Sequence, residues 1–95
     1  MAGNTTSPEN YDLSVYPNPT SGALSIQLNG LEMPEEDLIR LEVFTIAGRS
    51  VMETNMQAVL LAEGISYDVS FLDKGVYIVR VSGRNLVLNK SLVRN

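Results

Sequence analysis

The sequence predicts an all-β fold, an immunoglobulin-like β-sandwich of about seven strands that pair mostly antiparallel. Apolar and polar residues alternate over several short segments, which is the period of a strand with one buried face. Turn-forming Gly, Pro, Asn and Asp residues recur between these segments at intervals of ~8–12 residues. No segment shows a convincing helical period. A small barrel is the alternative shape for the same pattern.

The first two predicted strands lie on either side of a proline-rich bend. Leu13, Val15 and Tyr16 form a short strand that ends at residues 17–22. Two prolines there remove two backbone donors, so the segment cannot continue a ladder. We expect a rigid bend that carries the chain between the sheets. Residues 24–28 then alternate cleanly and end at the turn signal Asn29-Gly30.

The central third predicts a hairpin. Residues 31–37 are expected to form a loop, and residues 38–46 a longer strand with Leu41 and Val43 directed inward. Ala47-Gly48-Arg49 closes a tight turn in which Gly48 supplies a positive φ. Residues 50–54 return as the partner strand, and residues 55–64 show no firm period.

The last third is clearer. Residues 65–71 alternate, and Asp73-Lys74-Gly75 forms a turn before a strand at residues 76–81 with Tyr77 on its apolar face. Residues 82–85 turn the chain back into a last strand at residues 86–93. That strand is expected at a sheet edge, where it could accept a partner strand.

Composition argues against catalysis and against a cofactor. The chain has no cysteine, histidine or tryptophan, so disulfides, thiolate zinc sites and a histidine proton shuttle are excluded. We expect no enzyme activity and no metal. Glu32, Glu35, Glu36 and Asp37 lack the alternating ligands and the glycine of a calcium loop. The net charge of -4 argues against a nucleic-acid partner.

No apolar run approaches the ~18 residues needed to span a bilayer, so no direct membrane span is expected. Residues 1–10 are polar and are interpreted as a linker or tag remnant before a folded domain at residues 11–95. Met1-Ala2-Gly3-Asn4 lacks the features of a signal peptide, so an export signal is expected elsewhere in a parent protein.

Four segments, in order, resemble the C-terminal sorting domains of the Bacteroidetes type IX secretion system. They are residues 15–22 with Leu24 and Ile26, residues 43–51 with a Gly-Arg pair at the turn, residues 72–81 with a Gly-x-Tyr strand, and the closing residues 89–94. The central turn departs from the pattern, because Thr45, Ile46 and Ala47 stand where an aspartate is common. This departure concerns a side-chain hydrogen bond at the turn, not the turn itself.

The resemblance implies a domain that is recognised rather than one that reacts. Such domains end a cargo protein that reaches the periplasm, and they dock on the outer-membrane translocon and its shuttle and sortase proteins. The cargo is then attached to the cell surface or released. The expected partners are therefore this machinery and an N-terminal cargo domain.

Eleven residues are candidates for translocon recognition, and residues 90–95 are hypothesised to be read directly. Eight of them have a purely structural alternative: a bend for the four at positions 17–22, a backbone requirement for Gly48 and Gly75, a solvated charge for Arg49 and the core for Tyr77. The candidates are Pro17, Asn18, Pro19, Gly22, Gly48, Arg49, Gly75, Tyr77, Lys90, Leu92 and Val93.

The alternative function is an accessory carbohydrate-binding or adhesive module of a secreted enzyme. Sugar platforms usually need exposed aromatic faces. Aromatic residues make up only 6% of this chain, which favours the sorting domain. A structural spacer is the third possibility, because sandwiches host many functions.

Overall fold

The computed structural model describes residues 11–30, 37–83 and 86–95, and within them two antiparallel sheets pack face to face. Of the predicted loop at residues 31–37, only Asp37 is described. The rest of the loop, with Glu32, Glu35 and Glu36, and the predicted linker at residues 1–10 lie outside the described residues. The elements in chain order are β1 (Asp12–Tyr16), β2 (Ala23–Asn29), β3 (Leu38–Thr45), β4 (Ser50–Gln57), α1 (Ala58–Glu63), β5 (Ile65–Asp68), β6 (Gly75–Gly83) and β7 (Leu86–Arg94).

The strand order confirms the predicted fold class. One sheet has the order β1-β2-β5 and the other has the order β4-β3-β6-β7. The chain therefore changes sheets between β2 and β3, between β4 and β5, and between β5 and β6. This arrangement of seven antiparallel strands in two sheets is that of an immunoglobulin-like sandwich.

The core consists of the inward positions of the two sheets. Leu24, Ile26 and Leu28 alternate with more exposed residues along β2, as the sequence predicts. Leu41 and Val43 of β3 are fully buried, which confirms their predicted orientation. Burying each such side chain stabilises the fold by ~1.5–3 kcal/mol. The other buried apolar residues are Leu13, Ile39, Ala58, Leu61, Val69, Leu72, Tyr77, Val79, Val81, Leu86, Leu88 and Leu92.

The short helix α1 corrects the prediction that the chain has no helix. It connects β4 to β5, and Ala58 and Leu61 bury its inner side. The amide of Ala58 donates to the carbonyl of Asp37 at 2.8 Å. Gly64, with φ of 99°, ends the helix in a conformation that favours glycine. Six residues are too few to show a helical period in the sequence.

Strand β5 is shorter than predicted, since it ends at Asp68 rather than at residue 71. The Asp68 carboxylate accepts hydrogen bonds from the amide of Ser70 at 3.0 Å and from its hydroxyl at 2.6 Å. These hydrogen bonds form a local turn in place of further strand pairing, so the chain leaves the sheet. Phe71 is consequently 63% exposed, although alternation predicts it on the buried face.

Leu92→Ala tests whether the last strand is part of the core. Leu92 has no exposed surface, so its truncation should lower the free energy of unfolding by ~2–5 kcal/mol. The matched control is Val87→Ala on the same strand, where the side chain is 36% exposed and the loss should stay below ~1 kcal/mol. Urea denaturation measures both values. Similar losses for the two variants would contradict the assignment of Leu92 to the core.

Candidate functional site

The four segments singled out in the sequence meet at one end of the sandwich. In one sheet Tyr16 pairs with Ser25 and Ala23 with Asp68, and in the other Thr45 pairs with Tyr77 and Gly75 with Arg94. A bridge between Thr20 and Arg94 joins the two sheets at this end. We call this end, formed by residues 17–22, 45–50, 69–75 and 91–95, the motif end. Most of the predicted site residues are therefore brought together, although they are spread over the whole sequence.

The proline-rich turn lies against the last strand. The Asn18 side-chain amide donates to the carbonyl of Ser91 at 2.8 Å, and its Oδ1 accepts from the amide of Val93 at 2.9 Å. Asn18 thus pairs with β7 as a neighbouring strand would. The peptide bonds before Pro17 and Pro19 are both cis.

This turn corrects the expectation that the bend transfers the chain between sheets. Strands β1 and β2 are neighbours in the same sheet, so the chain returns to the sheet that it left. What the bend does is reach across to the edge of the other sheet and contact β7.

Thr20 completes the contact and was missed by the sequence analysis. Its amide donates to the carbonyl of Val93 at 2.8 Å, and its carbonyl accepts from the amide of Asn95 at 2.9 Å. The side chain is 1% exposed, and its hydroxyl donates to the carbonyl of Ala23 and accepts from the amide of Gly22. Pro-Thr-Ser-Gly predicts a turn, but a local pattern of this kind cannot predict that the turn bonds to β7.

Strand β7 is at a sheet edge, as predicted, but only half of that edge is open. Residues 18–20 pair with its last residues, from Ser91 to Asn95. Backbone groups that point to one edge alternate along a strand. Those of Val87 and Asn89 therefore face the same edge, and no described strand pairs with them.

Arg94 ties the last strand to the loop at residues 69–74. Its Nε donates to the carbonyl of Val69 at 3.3 Å, and its Nη2 donates to the carbonyl of Ser70 at 3.1 Å. The Val69 amide in turn donates to the carbonyl of Gly22 at 2.7 Å. The loop is thus bonded to the last strand and to the proline-rich turn.

Tyr77 has a structural function at the same end. Its ring is buried at the start of β6, and its hydroxyl donates to the carbonyl of Asp73 at 2.6 Å. A tyrosine that bonds back to the backbone just upstream of this strand is the tyrosine corner of immunoglobulin-like sandwiches. The Gly-x-Tyr pattern therefore has a structural explanation.

The β3–β4 turn confirms the predicted positive φ of Gly48, which is 94°. The amide of Gly48 donates to the carbonyl of Thr45 at 2.9 Å, and the amide of Thr45 donates to the carbonyl of Arg49 at 2.8 Å. The Thr45 hydroxyl oxygen accepts from the amide of Arg49 at 3.1 Å. Thr45 thus supplies a side-chain hydrogen bond at the turn, where the resemblance leads us to expect an aspartate.

The predicted site residues divide into buried and accessible ones. Gly22, Tyr77 and Leu92 are buried, so they act through the fold and not as contacts for a partner. Lys90 is exposed and lies 3.9 Å from the carboxylate of Asp12, a surface ion pair that stabilises little. Val93 is half-buried, and the exposed remainder are Pro17, Asn18, Pro19, Gly48, Arg49 and Gly75.

The described residues contain no group of three or more side chains that could hold a metal ion. In the same part of the chain no helix is long and apolar enough to cross a membrane. The motif end offers hydrogen-bonded turns and shaped surface, which suit recognition by another protein.

A family model described as "Secretion system C-terminal sorting domain" matches residues 14–95. This range includes β2 to β7 completely and most of β1. A search of curated proteins finds no match.

Asn18→Ala tests the contact between the turn and β7. Two hydrogen bonds are lost at an exposed position, so we expect the free energy of unfolding to fall by ~1–2 kcal/mol. Asn55→Ala on the exposed side of β4 is the control, with an expected change within ~0.5 kcal/mol. Urea denaturation compares them, and equal losses would show that Asn18 contributes nothing specific.

The turn at Asp68 predicts an acid-dependent loss of stability. Hydrogen bonds from the Ser70 hydroxyl and amide hold the pKa of the Asp68 carboxyl below its usual range, and Arg94 adds to this shift. A lowered folded pKa stabilises the fold above the unfolded pKa, near ~4, and this stabilisation disappears as pH falls through the folded pKa. Thermal unfolding between pH 6 and 2 should therefore change less in Asp68→Asn than in the unmodified domain. An identical pH profile would contradict the assignment.

Proposed function

The chain belongs to the family of type IX secretion C-terminal sorting domains, and we propose that it directs a cargo protein to the translocon of the outer membrane. The observation that carries the proposal is the family match over residues 14–95. A sorting signal of this kind is not catalytic. The fold supports the proposal because the segments that resemble the family meet at the motif end.

We propose that the signal is a folded surface and not a linear tail. Residues 91–95 are held by Asn18, Thr20 and β6, so a partner meets them as part of the sandwich. The accessible candidates for recognition are the turn at residues 17–19, Gly48, Arg49, Gly75, Lys90 and Val93. Gly22, Tyr77 and Leu92 would support this surface from inside.

The proposed route follows from the family. The parent protein would enter the periplasm by a signal peptide, and the folded domain would then engage the translocon with its shuttle and sortase proteins. The cargo would be N-terminal to the domain and would finally be attached to the cell surface or released. The alternative of a carbohydrate-binding module gains no support from the family match.

Deleting residues 90–95 is a poor test of recognition. The deletion removes Leu92, which has no exposed surface, and the hydrogen bonds that Arg94 makes to the loop at residues 69–74. The packing of β7 therefore makes us expect that the shortened domain does not fold. Export would stop because the domain is not folded, whichever surface the translocon contacts.

A fusion provides a direct test. Residues 4–95 are joined to the C-terminus of a fluorescent protein that carries a signal peptide, in a bacterium with a type IX system. We expect fluorescence at the cell surface or in the medium. The same fusion in a strain without the translocon should stay in the periplasm. Retention in the competent strain, with the domain shown to be folded by protease resistance, would contradict the proposed function.

A further inference from the structure

The outer face of the four-stranded sheet is apolar at the motif end. Inward residues of β3 and β6 form the core, so the alternate residues point outward. Phe44 lies opposite Ile78, and Val76 lies opposite Val93. Ile46, just after β3, lines a shallow groove with Phe44 and Ile78. We call Phe44, Ile46, Val76, Ile78 and Val93 the outer apolar patch.

Two residues of the outer apolar patch are exposed and the other three are half-buried, whereas the middle of this face is polar. Ile46 is 73% exposed and Val76 is 44% exposed. In the middle of the same face, Arg40 makes ion pairs with Glu42 at 3.4 Å and with Glu53 at 2.6 Å. Towards the far end of the face, the exposed apolar residues of the described strands are Leu38 on β3 and Val87 on β7, which are not neighbouring strands. Neighbouring apolar side chains at one place indicate an interaction surface, whereas single ones are ordinary.

Arg80 lies at the border of the patch, and within the described residues it makes no ion pair. Its guanidinium lies 5.0 Å from the centroid of the Phe44 ring, and its Nε donates to Oδ1 of Asn89 at 3.0 Å. Within the described residues no carboxylate lies in ion-pair distance of it, because Glu42, its neighbour across the strands, bonds to Arg40. Arg80 is therefore a cation fixed beside an apolar surface, with donors left for an external carboxylate.

We propose that the outer apolar patch and Arg80 form the docking surface for a subunit of the export machinery, one that presents apolar side chains together with a carboxylate. This inference rests on the proposed function and names the surface that performs it. Charge complementarity favours such a partner. A second copy of the chain fits less well. A two-fold contact would bring the Arg80 side chains of the two copies close together, and each domain carries a net charge of -4, so the copies would repel each other.

The position of the patch supports the same partner. It is continuous with the recognition candidates, since Gly48 lines the groove and Val93 is a member of the patch. Val93 is also the residue whose backbone bonds to Asn18 and Thr20. The turn at residues 17–20 thereby fixes the strand that forms one border of the docking surface.

Ile46→Asp with Leu38→Asp as its matched control tests the proposal. Both residues are highly exposed apolar side chains at opposite ends of β3. In the fluorescent fusion, Ile46→Asp should lower the exported fraction about tenfold or more, as loss of a central contact does. Leu38→Asp should export like the unmodified fusion. Thermal unfolding followed by circular dichroism verifies that both variants fold.

Two further variants keep the test decisive if Ile46→Asp does not fold. Val76→Thr keeps the shape of a β-branched side chain and should also reduce export. Arg80→Gln should reduce it, whereas Arg40→Gln should not. Normal export of folded Arg80→Gln together with normal export of folded Ile46→Asp, or of Val76→Thr where Ile46→Asp does not fold, would overturn the docking surface. Equal loss in Leu38→Asp would overturn it as well. In either case the exported unmodified fusion upholds the proposed function. A dimer in analytical ultracentrifugation that Ile46→Asp dissolves would assign the patch to a second copy and overturn it too.

Discussion

The contact between the proline-rich turn and the last strand is the constraint on which the motif end depends. Asn18 and Thr20 bond to Ser91, Val93 and Asn95, residues more than seventy positions away along the chain. This contact closes half of an edge that would otherwise be open to strand addition, which limits unwanted pairing. It also makes the position of the chain's last residues depend on its first turn. The domain therefore has to fold completely before the motif end exists as a surface.

Much of the fold could be predicted because alternation and turn chemistry are local properties. Residues 24–28, the Gly48 turn and the orientation of Leu41 and Val43 follow from neighbours in sequence, and the structure confirms them. Where the predicted secondary structure was wrong, another interaction decided the conformation. In β5 the Asp68 side chain bonds to Ser70 and ends a strand that alternation extends to Phe71. In α1 the burial of Ala58 and Leu61 against the sandwich decides the conformation, and six residues give no periodic signal.

The candidate site was predicted less completely, because its geometry is created by long-range contacts. Sequence resemblance selected residues at the motif end but could not separate those that shape it from those that are accessible. Tyr77 and Leu92 are buried in the interior. Thr20, whose backbone amide and carbonyl both bond to the end of β7, was not selected. The outer apolar patch was not predicted either, because alternation places Phe44 and Ile46 on the face opposite to Leu41 and Val43 but does not show what lies over that face. Only the sheet order shows that nothing described lies over them.

These features explain how the shape of a sorting domain can carry specific information. The core residues and the tyrosine corner hold the strands in place, and the strands position the four turns. The turns border an apolar face beside Arg80, which makes no ion pair within the described residues. An unfolded chain presents none of this, because Phe44, Val76 and Val93 are adjacent only through the pairing of β3, β6 and β7. A machine that binds such a face therefore tests the folded state of the domain at the moment of recognition. Export of the cargo would then depend on the same free energy that stabilises the sandwich.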